Sequence, residues 1–125
     1  MKGTFVLILL VAVVTSGCAY RLIAEHERGK ADISTLRTML KASDPGDRAY
    51  AAYSLGRKLD KDSVQALTDA LRDPSPDVRW AAADGLAILG EAAKPALASL
   101  RTIAGTDESE GVRQAAAEAV MRIDQ

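Results

Sequence analysis

Asp73-Pro74-Ser75-Pro76-Asp77-Val78-Arg79-Trp80-Ala81-Ala82-Ala83-Asp84-Gly85-Leu86 decides how this chain folds. Asp73 to Pro76 cannot continue a helix, because each proline lacks an N–H and restricts the residue before it. Asp77 then offers an N-cap oxygen, and the pattern predicts a helix beginning at Val78. Its alanine block lets a neighbouring helix come close.

The same phrase occurs on either side. Upstream it reads Asp44-Pro45-Gly46-Asp47-Arg48-Ala49-Tyr50-Ala51-Ala52-Tyr53-Ser54-Leu55-Gly56, and downstream Glu110-Gly111-Val112-Arg113-Gln114-Ala115-Ala116-Ala117-Glu118-Ala119-Val120. Arg48 and Arg79 are 31 positions apart, Arg79 and Arg113 34. Periods of this size mark stacked supersecondary units. Ahead of each phrase lies an apolar face at helical 3-4 spacing. Ile33, Leu36 and Leu40 recur 31 positions later as Val64, Leu67 and Leu71, and Leu97, Leu100 and Ile103 take this part in the third unit. Pro95 suits an opening turn, and Gly90 and Gly105 suit helix stops. Each unit thus reads as a helix, a tight turn and an Ala-rich second helix. Neither pair can bury its stripe alone, so the pairs must stack.

Over roughly residues 33–123 the chain resembles the HEAT-like repeats first named for phycobilisome lyases, whose second helix carries D-x-x-V-R-x-x-A-A-x-A-L. The resemblance implies an all-α fold, a short right-handed α-solenoid of about three hairpins filling residues 33–125. It also implies that the recurring Asp47, Asp77, Arg48, Arg79 and Arg113 cap helices and bridge units. It carries no lyase activity across, because such repeats serve as scaffolds in unrelated proteins. The third unit departs from the pattern: Gly111 stands where the capping Asp belongs, after the longer acidic loop Thr106-Asp107-Glu108-Ser109-Glu110. Fraying is expected there.

What does not recur is the better guide to function. Positions one, five and nine after each aligned arginine share a helix face. They are Ala49, Tyr53 and Arg57, then Trp80, Asp84 and Ile88, then Gln114, Glu118 and Arg122. This face is expected to point outward on the concave side, with Tyr53 and Trp80 as neighbours across a unit boundary and Arg57, Asp84 and Glu118 around them. Aromatic and arginine residues on a polar face are interface anchors. The alternative is that Trp80 fills an inter-repeat gap while Tyr53 covers an edge.

The first residues have another purpose. Lys2 precedes the apolar run Phe5–Val14, followed by Thr15-Ser16-Gly17 and the single cysteine, Cys18. Charge, apolar core and small-residue site in that order describe a secretory signal peptide. The stretch resembles the lipobox of bacterial lipoproteins, although Thr15 replaces the usual leucine. That resemblance implies cleavage after residue 17, acylation of Cys18 with palmitate-type chains, and a charged tether over residues 18–32. One fourteen-carbon chain binds membranes only marginally, at about 0.8 kcal/mol per CH₂; the two or three chains implied here would anchor permanently. An uncleaved anchor is the alternative, but a span needs roughly 20 apolar residues and the ten from Phe5 to Val14 fall short. Simple secretion is the other. Ala19, where an Asp retention signal could stand, leans toward an outer membrane if the cell has one.

Composition removes several function classes. The formal net charge is -1, and loss of Lys2 with the leader leaves 15 basic against 17 acidic side chains. That is no footprint for nucleic acid. No second cysteine exists for a disulfide. The lone His26, in Glu25-His26-Glu27, lacks the three or four converging ligands a metal needs. No phosphate loop or paired nucleophile appears. The expected protein is therefore a non-enzymatic, cofactor-free adaptor for an unknown protein partner, lipid-anchored at a bacterial cell membrane or outer membrane and facing the periplasm or exterior. An accessory or assembly subunit for an envelope enzyme or cofactor-carrying protein is the alternative.

Overall fold

Among the described residues three helical hairpins follow one another. The first is α1 (Ile33–Met39) with α2 (Pro45–Arg57), and the second α3 (Val64–Ala70) with α4 (Pro76–Leu89). The third is α5 (Leu97–Thr106) with α6 (Glu110–Ile123). Short 3₁₀ segments, Lys61–Ser63 and Gly90–Ala96, lead into α3 and α5. The computed structural model describes residues 31–125, and the readings of the leader, Cys18 and His26 lie outside them. Ile33–Gln125 is one compact unit, an all-α solenoid.

The repeated apolar positions are its core. Leu36, Leu67 and Leu100 of the first helices are fully buried, as are Leu55, Leu86 and Ile123 of the second helices. Second helices pack on second helices, α2 on α4 and α4 on α6. The α2–α4 contact is made backbone to backbone. A Cβ placed on Gly56 would lie 2.4 Å from the Gly85 Cα and 2.8 Å from its carbonyl oxygen, and one on Gly85 would lie 2.9 Å from the Ala52 oxygen. Ala52, Ala82 and Ala83 beside them have no exposed surface.

Helix starts differ from the sequence expectation. Asp47 and Asp77 are not the capping residues. Asp44 caps α2, its Oδ2 accepting from the Asp47 N–H at 3.0 Å. α4 begins at Pro76 rather than Val78, because proline is preformed for the first helical position and needs no N–H partner there. Asp77 instead places its charge in the first turn, where the helix dipole favours it. Gly90 ends α4 with φ +56, as a stop should, but α5 runs through Gly105 to Thr106. The third unit is capped differently from the other two. Ser109 supplies the cap that Gly111 cannot, and α6 runs fourteen residues.

The recurring arginines bridge units by a repeated geometry. Arg48 forks Asp73 of the next unit (Nε–Oδ2 2.8 Å, NH2–Oδ1 2.9 Å), and Arg79 forks Asp107 (2.8 and 3.1 Å). The NH1 of each arginine turns back to carbonyls of its own turn: Ala42 and Ser43 for Arg48, Asp73 and Pro74 for Arg79, Asp107 and Glu108 for Arg113. Each middle aspartate is thus held from both sides. The guanidinium beside each holds Asp73 and Asp107 below the usual carboxylate range, chiefly through the paired hydrogen bonds. A depressed carboxylate contributes stability above its unfolded pKa and loses it as pH falls through the folded value. A separate tie links the first helix pair to the second, where Arg37 forks Asp60 (2.8 and 2.9 Å) and donates to Ser63 Oγ at 3.0 Å. Ser63 in turn donates to Asp60.

Glycine is ordinarily worse than alanine inside a helix by about 1 kcal/mol. Gly56→Ala is expected to reverse that sign and lower the melting temperature, since the new methyl meets backbone that cannot step aside. Leu67→Ala or Leu86→Ala is expected to cost about 2–5 kcal/mol and unfold much of the stack. Circular-dichroism melts read all three. An unchanged or raised melt for Gly56→Ala would contradict the close crossing, and shifts of only a few degrees for both leucines would contradict the repeat register.

Candidate interaction face on the second helices

Because α2, α4 and α6 pack side by side, their outward positions form one continuous row. Tyr53, Arg57, Trp80, Glu118 and Arg122 are exposed, and Asp84 is half-buried. Trp80 keeps 45% of its surface accessible and Tyr53 37%. Trp80 is therefore not sealed in an inter-repeat gap. The Tyr53 ring is partnered within its own helix by Arg57, whose guanidinium carbon lies 5.6 Å from the ring centroid and whose NH1 donates to the hydroxyl at 3.4 Å. One helical turn separates the two residues, the spacing at which side chains of one helix meet.

At the far end Arg122 NH2 donates to Glu118 Oε1 at 2.6 Å, and Gln114 donates to Glu110 at 3.2 Å. Asp84 lies between these groups. Among the described residues it makes no hydrogen bond or ion pair. Partial burial pushes its carboxyl above the usual range; the field of Glu118 adds to this, and Arg122 and Arg57 oppose it. The middle unit thus offers an uncommitted acid one helical turn from an exposed indole. Sequence spacing identified the row, and the structure shows which of its charges are already used.

The ladder aspartates are the residues that sequence reading passed over. Asp73 and Asp107 each lie six positions before the arginine of their own unit, a spacing that Ala42 breaks in the first unit. That offset was the available signal. It was hidden because each aspartate serves the arginine of the preceding unit.

Residues 33–121 match the family model for HEAT repeats, and the chain belongs to that family. No curated protein matches it. Among the described residues no group of three or more His, Cys, Asp and Glu could hold a metal, and no helix is long and apolar enough to cross a membrane.

The Asp84 carboxyl titrates higher folded than unfolded, so the folded state binds more protons and stability falls as pH rises through the folded value. Asp84→Asn is expected to raise the melting temperature at neutral pH by roughly 2–4 °C. The gain should vanish below the unfolded aspartate pKa. Melts of both proteins across an acid series test this, and a lower melt for Asp84→Asn at pH 7 would show that attraction to Arg57 and Arg122 outweighs burial.

Proposed function

We propose that this HEAT-repeat protein is a protein-interaction scaffold, held at a bacterial envelope membrane by lipid on Cys18, that binds its partner along the outward row of α2, α4 and α6. HEAT repeats generally mediate protein–protein interaction. The observation that carries the reading is the exposure of two large aromatics, Tyr53 and Trp80, from successive units on an otherwise charged row. Exposed aromatics set among charged groups are the residues that dominate binding energy at interfaces. Arg57, Asp84 and Glu118 supply the polar surround. The role proposed for the row is recognition rather than catalysis. The tether rests on the order Lys2, apolar run, Thr15-Ser16-Gly17, Cys18. An anchored stack works within linker reach of one surface, on the periplasmic or outer side.

The Tyr53→Ala, Trp80→Ala double variant is expected to separate binding from stability. Losing an interface aromatic costs about 2 kcal/mol or more of binding, roughly 30-fold in affinity. At positions this exposed, stability should move by only about 0.5 kcal/mol per site. A melt together with a pull-down from detergent extract, beside wild type, reads both. A large fall in melting temperature with an unchanged set of partners would defeat the interface.

Cys18→Ser is expected to abolish membrane retention and leave the helical signal intact, because the buried leucines of the repeats run from Leu36 to Leu100 and the last second helix closes the core with Ile123. Fractionation with mass spectrometry of the mature N-terminus is the measurement. An unmodified Cys18, or an intact chain beginning at Met1 in the membrane, would defeat the lipoprotein reading.

A further inference from the structure

Two units of the outward row repeat one arrangement, and the middle unit breaks it. Counted from the aligned arginines, positions five and nine are Tyr53 and Arg57 in α2, and Glu118 and Arg122 in α6. In both helices the ninth residue is an arginine that reaches back one turn to the fifth. The Arg57 guanidinium carbon lies 5.6 Å from the Tyr53 ring centroid, and Arg122 donates to Glu118 at 2.6 Å. In α4 the fifth residue is Asp84 and the ninth is Ile88, a half-buried side chain with nothing to donate. Asp84 thus carries a charge for which its own helix supplies no cation. The neighbouring arginines do not replace it. Each is engaged within its own helix, and although their fields favour the carboxylate, partial burial prevails and holds the Asp84 carboxyl above the usual range. One turn before Asp84, on the same helix face, Trp80 keeps 45% of its surface accessible.

We infer that Asp84 and Trp80 form a receiving site for one cationic side chain, arginine or lysine, projected by the protein partner. The inference rests on the reading of this row as a protein interface and adds the chemistry of what binds there. The units on either side show what is missing, since each sets an arginine against its fifth residue and the middle unit does not. A cation brought to Asp84 meets a carboxylate already partly withdrawn from water, where attraction between opposite charges is stronger than at a fully exposed acid. The indole one turn away attracts the same charge through its ring face and covers the apolar stem behind it. Guanidinium suits both groups, because it forks a carboxylate and stacks on an aromatic ring. An acidic partner is opposed, because the field of Glu118 already acts against the Asp84 charge. Arg57 and Arg122 flank the site and would repel a run of positive residues. The complementary segment therefore carries a single cation set among neutral or acidic residues.

The probes are tryptophan-free peptides selected from a random display library on the full wild-type chain. Trp80 is the single tryptophan of the protein, so a change in its emission reports binding at the row; anisotropy of a labelled peptide gives the affinity. Peptides that perturb Trp80 are expected to share one arginine or lysine, and its change to glutamine should weaken binding by about tenfold or more. Asp84→Asn should weaken the same peptides equally, with little further loss when both changes are combined. Its melting temperature is expected not to fall, which separates lost binding from lost folding. Ile88→Arg supplies within the chain the arginine that α4 lacks. Four residues after Asp84, it should take the carboxylate as Arg122 takes Glu118 and compete with the peptide's cation. Peptides that perturb Trp80 but bind Asp84→Asn and Ile88→Arg as tightly as wild type would overturn the inference while leaving the interface in place. A selection that yields no shared cation would overturn it too. Peptides indifferent also to the Tyr53→Ala, Trp80→Ala double variant would remove the interface itself. Sedimentation supplies the remaining arm: self-association lost in Asp84→Asn would make the occupant a second copy and overturn the assignment to another protein.

Discussion

The approach of α2 to α4 at Gly56 and Gly85 sets the spacing on which the rest of the stack is drawn. Without side chains at the crossing, the backbones touch, and the flanking alanines are sealed from solvent. Two consequences follow from the distance alone. The turn preceding each second helix falls within reach of the arginine one unit earlier, and the outward residues of successive helices become neighbours on one surface. Widening the crossing by a methyl group would pull on both.

The arginine forks are the directional part of the structure. Hydrophobic burial would tolerate some sliding between units, since the first and second helices present leucine and alanine at every level. A bidentate guanidinium–carboxylate pair tolerates much less, because its bonds are short and coplanar. Arg48 and Arg79 also hold the carbonyls of their own turns, so each arginine fixes the loop ahead of its helix and the loop of the unit after it. The ladder gives the stack a polarity. Every fork points the same way, from the arginine of one unit to the aspartate of the next.

The charges of the outward row are less committed than those of the ladder. Arg57 lies over Tyr53 and Arg122 is paired with Glu118, both within single helices. Exposed pairs of this kind contribute little to stability, about 0.3–0.5 kcal/mol at one helical turn, and can be exchanged for a partner's groups at small cost. Asp84 differs, because its partial burial makes its charge a burden on the fold that no hydrogen bond or ion pair among the described residues relieves. A stack held by its ladder and its small-residue crossing can carry such a residue on the surface.

By itself the sequence determined the architecture. The recurrence of Arg48, Arg79 and Arg113, the 3-4 leucine spacing and the proline turns can be met only by stacked helical hairpins, because period and breaker positions are local properties of the chain. It also located the row containing Tyr53, Trp80 and Glu118, since residues four apart share a helix face whatever surrounds them. Three things were left to tertiary structure. The caps shifted to Asp44 and Ser109, because an N-cap is chosen by where the turn actually ends and several oxygens competed for it. Tyr53 took Arg57 as a partner, because ring and guanidinium meet only in particular rotamers of both side chains. Asp73 and Asp107 became the ladder's anions because each reaches an arginine 25 or 28 residues before it, and no local pattern records a pairing made only when units stack.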